Sequence, residues 1–292
     1  SRALHEQALA IRKKFFGEDH PVTATSLEAM AHLLHDKGDL DASEEMHQQA
    51  LKIRVDKFGE EHPHTANSLH GLANLHFDRG DFKASEALHA QALTIREKTL
   101  GDSHPHTSHS LQGLGNAKVH LGDHEQAAQL LERSLIIRRS TYGAEHPHTA
   151  RSYQSLGNLK AEQGDHTEAE RLHQRALDII QSRLGDEHHY SLKSLLGLVR
   201  AKTDQGDHVT ADDLNSKILN IKKKINPHAS SDFSSATDSL KTLLRDSFQD
   251  LEVGGHMSNR QHNPLGFKVE DKASVFTRVS RGFKALFKPG QK

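Results

Sequence analysis

Cysteine and tryptophan are both missing from this chain, and aromatic residues make up only 5% of it. Without cysteine there is no disulfide framework and no thiolate zinc site. With 34% hydrophobic residues, the sequence is thinly supplied for one deep globular core. An elongated stack, in which each unit buries only one face, fits that supply better. Long apolar runs are lacking too: nowhere do about 18 apolar residues follow one another, and no signal-peptide pattern opens the chain. A soluble, cytoplasmic protein is expected. Nor is there a nucleophile elbow, a phosphate-binding glycine loop or a paired-carboxylate constellation. Acidic pairs such as Glu44 and Glu45 read as solvated helix faces. Neither enzymatic activity nor a cofactor is expected.

What is present is repetition. His-Pro stands at 20–21, 62–63, 104–105 and 146–147, and Gly-Asp at 38–39, 80–81, 122–123, 164–165 and 206–207, each series stepping by 42 residues. Gly17, Gly59, Gly101, Gly143 and Gly185 keep the same step, as do the Leu-x-Ile pairs from Leu9 and Ile11 to Leu219 and Ile221. Each unit reads as two helices. The first begins at the His-Pro, where proline costs nothing because a first-turn N–H has no intrahelical partner. Its apolar positions, such as Leu69, Leu72, Ala73 and Leu75, recur at helical spacing. Gly80 can end that helix in a left-handed conformation. Asp81 can cap the next one. Asp123 with Gln126, and Asp165 with Glu168, have the spacing of a capping box. An amphipathic pair of this kind cannot bury its stripe alone, so the pairs must stack.

These residues carry a family resemblance. Leu-x-x-Leu-Ala/Gly, the Gly-Asp step, a small residue five positions after that glycine (Ala127, Ala169, Ala211) and the Ala-Leu pairs resemble the tetratricopeptide repeat. The 42-residue period, with Ile-Arg-Glu-Lys-x-Leu-Gly-x-x-His-Pro from Ile95 to Pro105, is similar to the variant found in kinesin light chains and related scaffolds. The resemblance covers roughly residues 3–225. It implies an all-α, right-handed superhelical solenoid of stacked antiparallel helix pairs that acts as a protein-binding adaptor or scaffold. The fifth unit departs from the pattern, with His189 where the others have proline. The chain opens on a second helix with no first helix before it, which reads as part of a longer array.

In such a stack the first helices line the concave side, and the face turned away from the core is left for a ligand. In successive units that face carries Thr25, Glu28, His32 and His35; Asn67, His70, Asn74 and Phe77; His109, Gln112, Asn116 and Val119; Arg151, Gln154, Asn158 and Ala161; and Lys193, Leu196, Arg200 and Thr203. Within a unit these lie three or four apart and share one side. Asn74, Asn116 and Asn158 occupy one register. An amide both donates and accepts, so a ladder of them can hold a peptide backbone, a use the resemblance also implies. Phe77 reads equally as an exposed anchor or as packing between helices. The His-Pro-His-Thr motifs (His62/His64, His104/His106, His146/His148) read as turn chemistry, and no metal is expected there. Twenty-five histidines predict pH sensitivity below about 6.5.

The end of the chain differs in composition. Residues 253–292 hold eight Lys/Arg, two Asp/Glu and four of the eleven Phe, a charge of +6. That leaves 30 of the 38 basic and 37 of the 39 acidic residues, or −7, for the remainder. Residues 226–250, with Phe233, Leu240, Leu244 and Phe248, read as a capping helix. Residues 251–256 read as a linker, and Gly254-Gly255-His256-Met257 resembles a cloning scar. On that reading 257–292 is a fused partner peptide held at high effective concentration beside the groove; the alternative is a natural tail. Phe276, Val279, Phe283, Leu286 and Phe287 form the apolar stripe of a basic helix, and Phe267 is a further anchor upstream. Such a helix suits a groove or, as the rival reading, an anionic membrane surface. Nucleic acid is not an expected partner.

Overall fold

The computed structural model describes residues 2–225. The expected capping helix (226–250), the linker (251–256) and the basic segment 257–292, with Phe267, Phe276, Val279, Phe283, Leu286 and Phe287, lie outside the described residues. The described residues form helices and turns, with no strand among them. A lone helix, α1 (Arg2–Phe16), precedes five pairs: α2 (Pro21–Asp36) with α3 (Leu40–Phe58), α4 (Pro63–Asp78) with α5 (Phe82–Leu100), α6 (Pro105–His120) with α7 (His124–Tyr142), α8 (Pro147–Glu162) with α9 (His166–Leu184), and α10 (Ser191–Asp204) with α11 (His208–Ile225). This is the solenoid of antiparallel helix pairs that the 42-residue period predicts.

The punctuation residues do what their types allow. Gly80 takes φ +82°, its N–H bonds Phe77 O, and the Asp81 N–H reaches back to His76 O, both at 2.9 Å. This is a Schellman turn. Asp81 then caps α5, its carboxylate accepting from Ala84 N at 3.1 Å, so one dipeptide closes a helix and opens the next. The same pair of backbone bonds recurs at Gly38, Gly122, Gly164 and Gly206. The capping boxes are only half made. Asp165 accepts from Glu168 N, but the Glu168 carboxylate pairs with Arg171, because the Asp165 N–H already bonds Lys160 O.

At the other turn, His62 is the N-cap of α4, and its Nδ1 accepts the His64 N–H at 3.1 Å. Proline at the first helical position has no N–H to offer, so the bond passes to the second. His20, His104 and His146 cap in the same way. Thr23, Thr65, Thr107 and Thr149 each donate to the carbonyl of the glycine six residues earlier, at 2.7–2.9 Å. The His-Pro-x-Thr motif therefore serves as a helix start. In the fifth unit His188 Nδ1 still accepts the N–H two residues on, from Tyr190 at 3.2 Å, but without proline the helix begins later, at Ser191, with Tyr190 as an N-cap that makes no side-chain bond, and the Ser191 hydroxyl is buried with no partner among the described residues.

Between helices the core is apolar and small-residue lined. Ala24, Ala66, Ala73, Ala127, Ala150 and Ala169 are fully buried, which lets neighbouring helices approach closely around Leu75, Leu111, Leu131 and Leu159. Each buried leucine contributes about 1.5–3 kcal/mol relative to an exposed one. The backbones of the first helices α2, α4, α6, α8 and α10 come close to one another along the stack, whereas those of successive second helices do not and meet only through long side chains, as where Arg133 of α7 pairs with Glu97 of α5 at 2.7 Å. The first helices are therefore on the inside of the curve, and their outward residues face the hollow.

Candidate functional site

The groove is the row of first-helix positions left over by this packing. Asn74 and Asn158 are exposed and Asn116 is half-buried. None of the three amides makes a side-chain hydrogen bond among the described residues. The three stand in one register of the adjacent first helices α4, α6 and α8.

Several other expected groove residues have structural duties. Gln112 is buried, and its amide donates to Arg151 O at 2.8 Å and Ser155 Oγ at 2.7 Å. Gln154 repeats the arrangement one unit later, donating to Ser194 Oγ at 2.7 Å and to Tyr190 O at 3.4 Å. Both bridge consecutive first helices and are withdrawn from the ligand surface, because the donor of each amide already has a partner. Phe77 is half-buried, packed edge-on against Phe82 at 5.3 Å and His120 at 5.1 Å, so it is packing and not an anchor. Asn67 accepts a bond from Arg96 Nη2 at 2.9 Å. Arg200 is exposed but ion-paired with Glu162 at 2.6 Å.

His70 and His109 form part of the groove floor, their rings 6.3 Å apart. Burial drives the His109 imidazole down to about 3, and the charges of Arg138 and Arg151 add to the effect. His70 is lowered well below its ordinary value, first by burial and then by His89 and Arg96. Both are neutral at pH 7. Arg151 and Lys193, in the same register as Asn67 and His109, are exposed, and neither side chain has an ion pair among the described residues. Although its side chain reaches solvent, Lys193 lies within the hollow among neighbouring helices, and that crowding, then the Arg151 charge, lowers its ammonium, with Asp78 of α4 pulling the other way.

Behind the groove runs a ladder that the sequence reading missed. Arg12, Arg54, Arg96 and Arg138 recur every 42 residues, and each donates through Nη1 to a serine fourteen residues later, at 2.6–3.0 Å. Arg54, Arg96 and Arg138 also bond the carbonyls of His64, His106 and His148. Their groove-side partners differ. Arg54 is paired with the Glu28 carboxylate, Nη2 to Oε2 at 2.6 Å, and Arg96 has the neutral Asn67. Arg138, although 0% exposed, has no acidic partner among the described residues; its Nε reaches Ser108 Oγ at 3.1 Å and its Nη2 is unpartnered. The signal was available: an arginine follows each of Ile11, Ile53, Ile95 and Ile137 at the repeat period.

The tetratricopeptide repeat model matches the chain over residues 1–56, 22–98, 64–140, 110–182 and 155–224. Among solved structures, the nearly identical TPR-like repeats of a Podosopora anserina protein named for kinesin light chain are 27% identical, with a TM-score of 0.53, covering 72% of this chain and 99% of that one. BtubC (BKLC) from P. vanneervenii is 17% identical with a TM-score of 0.58, covering 91% of this chain and 94% of that one. A Rap protein solved in complex with Competence and Sporulation Factor is 15% identical with a TM-score of 0.63, covering 97% of this chain and 87% of that one. At these identities the last two share the fold alone. No curated protein matches the chain.

Proposed function

This chain belongs to the tetratricopeptide repeat family, and from that premise we propose that its concave groove binds a short peptide segment of a partner protein, making it an adaptor or scaffold. Proteins of this family generally mediate protein–protein interactions and are typically non-enzymatic. The carrying observation is the open register of Asn74, Asn116 and Asn158, whose amides have no partner of their own among the described residues. A helix-interior asparagine is a poor helix former, and three in register can each donate to and accept from a bound backbone. The Rap protein bound to Competence and Sporulation Factor supplies a parallel on the same fold. The two readings of 257–292, a captured partner segment or a lipid anchor, rest on its composition alone. No helix among the described residues is long and apolar enough to cross a membrane.

The test is a selection of random dodecapeptides displayed on phage against the full chain, followed by titration of the selected peptides. Changing Asn74, Asn116 and Asn158 together to Ala should abolish their binding while leaving helicity intact. Affinity within twofold of the parent would remove the groove from the account.

A further inference from the structure

The arginine ladder loses its counter-charge as it runs along the stack. In the first full unit the Glu28 carboxylate pairs with Arg54. In the second, Arg96 Nη2 donates at 2.9 Å to Asn67 Oδ1, a neutral acceptor. The 42-residue step then puts His109 in the register of Asn67, and Gln112 in that of Glu28. Gln112 turns its amide donor away, to Arg151 O and Ser155 Oγ of α8. His109 Nε2 is buried without a partner among the described residues, and so is Arg138 Nη2. One step further on, the ladder ends in the apolar, buried Ile180, so the stack closes without a cation there.

A charge is thus left in a dry place. Arg138 is 0% exposed. Its other nitrogens meet neutral oxygens: Nε meets Ser108 Oγ at 3.1 Å, and Nη1 meets Ser152 Oγ at 3.0 Å and His148 O at 3.3 Å. Burial is the largest cause drawing its guanidinium down to about 9; the Arg151 charge adds to that, and Tyr142 acts the other way. It is still a cation at pH 7, with no carboxylate bonded to it among the described residues. Buried charges are ordinarily paired, because neutral hydrogen bonds do not offset the loss of water around an ion. His109 lies in the field of this cation, and Arg138 is the first of the charges that depress its imidazole. The repeat register and that field bring the two unpartnered nitrogens to one spot behind the groove.

We propose that this spot binds a small monovalent anion of the halide class, such as chloride, held between α6, α7 and α8 by Arg138 Nη2 and the Nε2–H of His109. A neutral imidazole carrying its one proton on Nε2 is a donor there, so both groups donate, as an anion requires. One positive charge and two donors suit a halide. Sulfate or phosphate brings more charge and more oxygens than two donors satisfy. The ion does for Arg138 what Glu28 does for Arg54, and its binding does not depend on a peptide in the groove.

Thermal melts of the full chain test it, with sodium chloride or bromide titrated against sodium gluconate at constant ionic strength so that screening is unchanged. Either halide should raise the melting temperature saturably, by roughly 3–5 °C at a tenfold excess over its dissociation constant. His109→Asp sets a carboxylate in the register from which Asn67 meets Arg96, and it should abolish the halide response. Arg138→Met should abolish it too, whatever its effect on stability in gluconate. Crystals soaked in bromide should show an anomalous peak within hydrogen-bonding reach of Arg138 Nη2. Equal melting in halide and gluconate overturns the proposal, and so does a halide response that survives both substitutions. A bromide peak without a saturable response in solution is an adventitious ion only, and a water found there instead of bromide is a neutral bridge; either result overturns it.

Discussion

Acid should loosen this solenoid between about pH 6.5 and pH 4, and three buried histidines of the second helices should carry a large share of the loss, beside His70 and His109 of the groove floor. His47, His89 and His173 share one register of the second helices, are 1–2% exposed, and have an Nδ1 without a partner among the described residues. Burial is the largest cause holding each imidazole at about 4 against an ordinary 6.5. The sign follows from proton counting. Between those two values the unfolded chain binds more protons than the folded one, so stability falls as pH falls, and the loss is complete below about 4. At pH 5 each site is nearly fully protonated when unfolded and roughly a tenth protonated when folded. The corresponding loss is about 2 kcal/mol per histidine, or about 6 kcal/mol for three. That is comparable with the whole stability of a typical domain, about 5–15 kcal/mol. Leu131, fully buried, occupies the same register in the third unit and shows that an apolar side chain fits the layer. Changing His47, His89 and His173 together to Leu should therefore cost less than about 1.5 kcal/mol per site at pH 7.5 and make the loss at acid pH clearly smaller, leaving the share of His70 and His109. Helicity at 222 nm through thermal melts at pH 7.5 and pH 5.0 is the assay. If parent and variant lose melting temperature in parallel, these three sites do not carry the effect and the reasoning fails.

Other outcomes follow from packing and charge. A Cβ at Gly113 would sit 2.3 Å from His89 Cε1, so Gly113→Ala should lower the melting temperature, an overpacking cost of about 1–3 kcal/mol exceeding the gain of up to about 1 kcal/mol in helix propensity; adding His89→Ala should restore much of it. Arg54→Met strands the half-buried Glu28 and should cost about 3–5 kcal/mol by denaturant titration, whereas Arg138→Met strands no carboxylate but leaves buried Ser108 Oγ and Ser152 Oγ without their donor and should cost less, about 1–3 kcal/mol. Gln112→Ala leaves Arg151 O and Ser155 Oγ without their donor and should cost about 1–3 kcal/mol in the same assay.

The fold was legible because each signal is local and repeated. Gly80 and Asp81 need only their own turn to act, and five copies 42 residues apart reveal it. The His-Pro motif was legible as turn chemistry, although not the ring nitrogen that makes the bond. The groove was legible only in part, since helical periodicity says which side a residue is on but not how deep it lies. Gln112 and Gln154 share a face with Asn116 and Asn158, yet lie closer to the next first helix, and hydrogen bonds to it bury them. Phe77 was open between two readings because its neighbours Phe82 and His120 come from other helices. The arginine ladder was overlooked because a charged residue beside a core isoleucine reads as solvated, and its serine and carbonyl partners become visible only once units stack.

The most direct measurement of the central claim is where a bound peptide touches the chain. A selected dodecapeptide carrying a photoreactive benzoylphenylalanine should crosslink to the first helices α4, α6 and α8, near Asn74, Asn116, Arg151 and Asn158, and the adducts should vanish when unlabelled peptide competes. Adducts confined to the second helices α5, α7 and α9 would place the binding surface on the outside of the solenoid and contradict the account.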